Sequence, residues 1–220
     1  LIARNVTLQG AGAGQTIVTG SGVLVTVYVT ATAATVEDLT ISGGGGAGLQ
    51  YGAISNGGTL TLLNAVVSGN TAGNEGGAVD NVGTLIVENS TFSGNRAYDG
   101  GAIFNNGGSV AVAGSTFSGN SSSTNGGAID NYYGGPVTVT DSTFNGNSAY
   151  YYGGAIAISG GPVTATNSTF TGNSVNVDQG GGGAIFNNSS GPVTLVNSTV
   201  SGNIASLGGG VFTGSGAVLS

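Results

Sequence analysis

The chain has 220 residues, 46 of them Gly, and only 5% are charged: nine acids stand against Arg4 and Arg96, with no Lys and no His, for a net charge of −7. Nucleic-acid binding is excluded, because phosphate backbones demand several cationic contacts; the absence of Cys removes disulfides, thiolate catalysis and Cys-based metal sites, and the absence of His removes His-based acid–base and triad chemistry. A hydrophobic content of 39% argues against disorder, and three Pro with no Gly-X-Y period exclude collagen.

Residues 1–33, with the phrase VTLQGAGAGQTIVTGSG, read as an opening coil. From residue 34 one unit recurs: an alternating strand, a polar corner, a short strand around an apolar marker, an Asn, a variable insert, and GGA(I/V)-x-N followed by a second loop. The markers are Ile41, Val67, Phe92, Phe117, Phe144, Phe170 and Val200, at intervals of 26, 25, 25, 27, 26 and 30 residues, and Leu8 is taken as an earlier one, 33 residues before Ile41. The second phrase keeps the same beat, from YGAI at 51–54 and GGAV at 76–79 through GGAI at 100–103, 126–129, 153–156 and 182–185 to GGGV at 208–211.

Val137, Val139 and Phe144 alternate with Thr138, Thr140 and Thr143, the period of a strand with one buried face. No 3.6-residue apolar stripe survives ten residues, so helices are not expected. A unit of this size cannot bury its own apolar face, but stacked copies can. The sequence therefore predicts an all-β parallel β-helix of about eight coils of about 25 residues, three short strands per coil, rising about 4.8 Å per coil. The whole chain, 1–220, is read as a single β-helix domain, a fragment of a longer surface protein: repeat-like coils over 34–213, and the start of an incomplete coil over 214–220. Phe92, Phe117, Phe144 and Phe170 are expected to stack in the core, and Asn70, Asn95, Asn120, Asn147, Asn173 and Asn203 to form a structural ladder at a corner.

GGA(I/V) paired in register with F-x-x-N, as in GGAI 100–103 followed by FSGN 117–120, resembles the repeats of the chlamydial polymorphic outer-membrane proteins and related bacterial surface proteins. The opening phrase is similar to that of large bacterial β-helix surface proteins, which resemble the pectin-lyase-like superfamily in fold. The resemblance implies a right-handed β-helix, secreted or displayed on a bacterial cell surface, with an adhesive role. It covers about Val36 to Val211, and Val67 and Val200 stand where the pattern has Phe.

Glycoside hydrolysis needs two carboxylates across one cleft, and Asp80 and Asp130 share a column after GGA(V/I), two coils apart with Phe104 between them. Ser55 and Ala157 flank them in that column without adding a polar partner, and lyases of this fold use a Lys or Arg base that is hard to find here. Asp38, Asn64, Asn89, Asp141, Asn167 and Asn197 read as turn residues. No catalytic residue, metal ligand or cofactor is expected, and no Asp-rich calcium repeat occurs.

Binding is expected at the loop edges, where the inserts TAGNE, RAYD, SSSTN, SAYYY, SVNVDQGG and IASLG vary while the core columns hold. Tyr98, Tyr150, Tyr151 and Tyr152 belong to that edge, and Tyr132 and Tyr133 to the loop at the other end of the GGAI strand; they are the candidate ligand-binding residues for glycans or cell-surface proteins. Outward Thr and Ser pairs, such as Thr116 and Ser118, resemble the ranks of ice-binding proteins. Self-association through open coil ends into a filament, and a polysaccharide-active or glycan-binding module, are the alternatives to a structural and adhesive module.

Overall fold

The computed structural model describes residues 5–20, 27–30 and 33–214. Every strand in it pairs in parallel with the equivalent strand one coil away, and among the described residues there is no helix. Three ladders of eight strands each run the length of the molecule. The alternating ladder extends from Val6–Gln9 to Val193–Val196, the marker ladder from Ile17–Thr19 to Thr199–Ser201, and the GGA ladder from Val27–Val29 to Val211–Thr213. The eight-coil all-β solenoid expected from the period is therefore present.

Two differences of register emerge. A fourth ladder, of six two-residue strands from Gly45–Gly46 to Ser174–Val175, follows the Asn corner and adds to the three strands expected per coil. Beyond Gly45–Gly46 it takes the first two residues of five of the six inserts, and the second of them (Ala72, Ala97, Ser122, Ala149, Val175) is buried, so these inserts begin as laddered backbone rather than loop; IASLG contributes only a single bridge at Ile204. Leu8 also stands elsewhere than expected: it pairs with Val36 in the alternating ladder, whereas Val18 pairs with Ile41 and is the true first marker. The opening segments Val6–Gln9, Ile17–Thr19 and Val27–Val29 thus make one full coil. Residues 1–4 and 215–220, which include most of the expected incomplete coil, lie outside the described residues.

The core is a set of in-register columns. Leu60, Leu85, Val110, Val137 and Val163 stack on one wall, and Leu62, Val87, Val112, Val139 and Ala165 beside them. Ile54, Val79, Ile103, Ile129, Ile156 and Ile185 close the opposite side. Phe92, Phe117, Phe144 and Phe170 stack nearly parallel to their neighbours, at centroid separations of 4.8, 4.7 and 5.0 Å. These columns remove apolar surface from water in every coil, at roughly 25 cal/mol per Å².

Polar columns hold the corners. Asn120 accepts at Oδ1 from the Asn95 backbone N–H and side-chain amide, both at 3.0 Å, and donates from Nδ2 to Asn147 Oδ1 at 2.9 Å and to the Phe92 carbonyl at 3.0 Å. Each fully buried amide in the column is satisfied in this way, as burial of polar groups requires. A serine column runs beside it: the Ser90 N–H donates to Ser115 Oγ, and the Ser115 N–H to Ser142 Oγ, each at 3.0 Å. Asp38, Asn64, Asn89, Asp141, Asn167 and Asn197 all have φ between 48° and 54°, the left-handed turn for which Asn and Asp are suited.

Glycine recurs for two separate reasons. Gly119, at φ 60°, supplies the left-handed corner before Asn120. Gly101 has no such angle, but a Cβ there would collide with the Gly127 carbonyl oxygen of the next coil. Close approach of successive backbones, not turn freedom, fixes the second Gly of GGAI.

Candidate functional site

The GGA ladder presents one residue per coil away from the core: Tyr28, Ser55, Asp80, Phe104, Asp130, Ala157, Phe186 and Phe212 are consecutive partners in register. Beside this column runs another, made from Glu75 onward by the residue before each Gly-Gly pair and opened by Tyr51 of YGAI, in which Tyr51 bridges Glu75, Glu75 bridges Asp99, and Tyr152 bridges Asn125 and Gly181. The two columns bury each other in part, so Asp80 and Asp130 are only 5% and 2% exposed although they face outward.

Aromatic side chains gather at the later end of this face and near its middle. Tyr152 stacks on Phe186 with centroids 4.2 Å apart, Phe186 stacks on Phe212 at 5.2 Å, and Tyr150 meets Tyr151 edge-on at 4.7 Å. Nearer the middle, Phe104 stacks with Tyr132 at 5.7 Å, and Tyr132 touches Tyr133 at 4.2 Å. Five of the six tyrosines singled out in the sequence therefore join two clusters seated on one outward column, all of them exposed. Tyr98 does not join them. It lies on the neighbouring face, where with Thr71, Arg96 and Ser123 it lines a cavity of about 180 Å³, smaller than sites that enclose a small molecule, which run to roughly 300–1,000 Å³.

Carboxyl groups flank Phe104 along this face, Asp80 one coil before it and Asp130 one coil after it. Burial, and then the Glu75 carboxylate beside it, push the Asp80 carboxyl up to about 7. Burial also raises Asp130 well above the ordinary carboxylate range, with Asp99 adding to the effect. Asp99 is raised by burial as well, opposed by hydrogen bonds from Thr124 and Asn125. The Tyr51 phenol is raised by burial and by Asp80 and Glu75. The hydrogen bond to Tyr133 is the main cause that raises Tyr132.

The column register expected for Asp80, Phe104 and Asp130 is the one observed, but the expectation that the two acids lack a polar neighbour is corrected. Ser55 and Ala157 are indeed their column neighbours, yet Glu75 acts on Asp80 and Asp99 on Asp130 from the adjoining column. The changing residue type at that position, Glu75, Asp99, Asn125 and Tyr152, conceals the column in the sequence. The sequence reading also passed over a second amide ladder, in which Asn56, Asn81 and Asn105 donate in turn to Asn81, Asn105 and Asn131 at 2.7, 2.6 and 2.7 Å; its signal was the final Asn of GGA(I/V)-x-N. Among the described residues no group of three or more His, Cys, Asp or Glu is placed to hold a metal ion. The hydroxyl ranks are in register, with Thr116 beside Thr143 and Thr143 beside Thr169, and Asn145 interrupts the second rank between Ser118 and Thr171.

A rod of parallel ladders with a laterally presented aromatic and acidic face defines a parallel β-helix protein. The family model described as "Right handed beta helix region" matches residues 21–205, and the chain belongs to that family, which also sets the right hand expected for the coil. Comparison with the curated proteins and with the solved structures gives no match.

Proposed function

We propose that the chain is a non-enzymatic, extracellular module of a bacterial surface protein, structural in its core and adhesive along the GGA face. The observation that carries this reading is the pair of exposed tyrosine clusters stacked on Phe104 and Phe186. Rings fixed by a laddered backbone lose little freedom on binding and offer flat apolar bodies with polar tips, the chemistry that suits sugar rings and protein surfaces. Glu75 and Asp99 are neighbours along the same face, and like-charge repulsion selects against polyanions. The partner is a neutral or cationic glycan or a protein surface.

Support for a non-enzymatic role comes from the burial of Asp80 and Asp130. A general acid must reach the glycosidic oxygen directly or through one water. The polymorphic outer-membrane resemblance supports the surface location and the adhesive task, both of which remain proposals.

Glycan-array and protein-array binding, combined with a turnover screen on neutral and acidic polysaccharides, tests the reading. The expected result is binding without turnover, weakened at least about tenfold by Tyr133→Asn combined with Tyr151→Ala. Tyr133 has φ 43°, an angle that Asn tolerates, so the first change removes a ring without straining the turn. Polysaccharide cleavage abolished by Asp80→Asn or Asp130→Asn overturns the reading in favour of a polysaccharide-active enzyme.

A further inference from the structure

Arg96 is the only basic side chain among the described residues, and it is exposed. No hydrogen bond or ion pair engages its guanidinium. The acid nearest to it in sequence, Asp99, is held instead by Thr124 and Asn125 of the next coil. Arg96 and Tyr98 line the cavity of about 180 Å³ together with two hydroxyl residues, Thr71 from the coil before and Ser123 from the coil after. The rest of the lining is small, Ala72, Gly73 and Ala97 among it. Gly73 takes the insert position that Tyr98 takes one coil later, so the coil before the ring leaves a gap where a side chain would stand.

We propose that this recess binds the free carboxy-terminus of a polypeptide whose last residue is small. A planar guanidinium meets both oxygens of a carboxylate through paired N–H donors, and Arg96 has no internal carboxylate to occupy it. The hydroxyls of Thr71 and Ser123 both donate and accept, which matches the last peptide group of the incoming chain. Size selects the end residue: a cavity of roughly 150 Å³ houses one benzene molecule, so this one has room for a chain end of one or two alanine-sized residues and not for an aromatic one. A sugar acid would satisfy the guanidinium equally, but its hydroxyls would meet alanine methyls and go without partners. One incoming charge is also tolerated by a chain of net charge −7 where a polyanion is not. The site lies on the face next to the GGA column, so it is independent of what the two tyrosine clusters bind.

The experiment is heteronuclear NMR titration of the whole chain with N-acetyl-Ala-Ala at low salt. Saturable shifts are expected at the Gly73, Ala97 and Ser123 amides, with a Kd on the order of 10⁻³ M for so small a ligand, weakening as salt is added. The uncharged amide of the same dipeptide, and N-acetyl-Ala-Phe, are each expected to bind at least about tenfold more weakly. Arg96→Gln should weaken the acid at least about tenfold and Arg96→Lys by less, since Lys keeps the charge and loses the fork. Asp178→Asn, at an exposed acid of a later insert, leaves the titration unchanged. The comparison of acid with amide reads the site in the unsubstituted chain, should an Arg96 variant fold poorly. Equal binding of acid and amide overturns the proposal, as does a titration that Arg96→Gln leaves intact. Equal binding of N-acetyl-Ala-Asp-Ala-amide overturns it in favour of a general acidic contact, and tighter binding of methyl glucuronide overturns it in favour of an acidic sugar.

Discussion

Tyr152 lies nearly parallel to Phe186, the ring centroids 4.2 Å apart and the planes inclined by 20°. The first residue comes from a variable insert and the second from the GGA ladder, so this contact fastens the binding edge to the scaffold. Tyr152→Ala is expected to destabilise the fold by about 1–2 kcal/mol, from lost burial and lost stacking. Tyr133, 71% exposed, is different: Tyr133→Asn changes stability by no more than about 0.5 kcal/mol. Urea denaturation separates the two, and equal losses would show that Tyr133 is a packing residue.

Asn120 satisfies four hydrogen-bonding groups of its neighbours and is fully buried. Asn120→Ala removes the acceptor of the Asn95 N–H and a donor to the Phe92 carbonyl, and leaves the Asn95 amide with only the Val67 carbonyl and Asn147 Oδ1 with only the residue 120 backbone N–H. The expected loss is on the order of 4 kcal/mol, each abandoned buried group costing about 1–3 kcal/mol before relaxation. Amide hydrogen exchange should show the Asn95 N–H losing protection first. An unchanged midpoint in urea would mean that the ladder is ornamental.

Gly101 and Gly119 should respond unequally to the same methyl group. At Gly119 the added Cβ meets open space but must adopt φ 60°, so Gly119→Ala costs about 1–2 kcal/mol. At Gly101 it drives into the Gly127 carbonyl and the Ser121 backbone of the next coil, and the coils must part to admit it. Gly101→Ala is expected to be the more damaging by at least about 1 kcal/mol, read from thermal or urea melts; parity would place the constraint in the turn alone.

Asp80 makes stability depend on pH. Its carboxyl is raised from 3.8 to about 7 in the folded chain by burial and by Glu75, with the Tyr51 phenol also facing it. Between those values the folded state holds a proton that the unfolded state has released. The favourable contribution is complete below about pH 4 and is lost as pH rises through about 7, with a span on the order of 4 kcal/mol. Asp80→Asn should flatten this part of the profile and leave the variant the more stable above pH 7. A difference between the two chains that does not vary with pH would show that Asp80 titrates normally.

The repeat made much of the architecture readable. Phe117 and Asn120 recur at near-constant intervals, and a solenoid converts equal sequence spacing into physical stacking, so their columns followed from arithmetic. Leu8 was misplaced because the opening coil lacks the F-x-x-N phrase that sets the register elsewhere. The two-residue ladder escaped notice because a dipeptide is too short to show alternation; the small second residue of each insert, as in Ala97 and Ala149, was its trace. Glu75 beside Asp80 and Asp99 beside Asp130 were hidden for another reason. Their position recurs just ahead of the Gly-Gly pair, but its residue type changes from coil to coil, Glu75, Asp99, Asn125 and Tyr152, so no repeated letter marks it.

The hydrogen-bonded side-chain columns give the rod a direction. Asn70 donates to Asn95 and Asn95 to Asn120; Asn56 donates to Asn81; the Ser90 N–H donates to Ser115 Oγ. In these three columns the donor lies in the earlier coil and the acceptor in the later one, so their small dipoles add, while the exposed turn pairs Asn64–Asp38 and Asn167–Asp141 point the other way. Along its buried polar columns the described rod is thus an arrow. A second copy continuing these columns would have to meet it head to tail, because tip against like tip would set donor against donor or acceptor against acceptor.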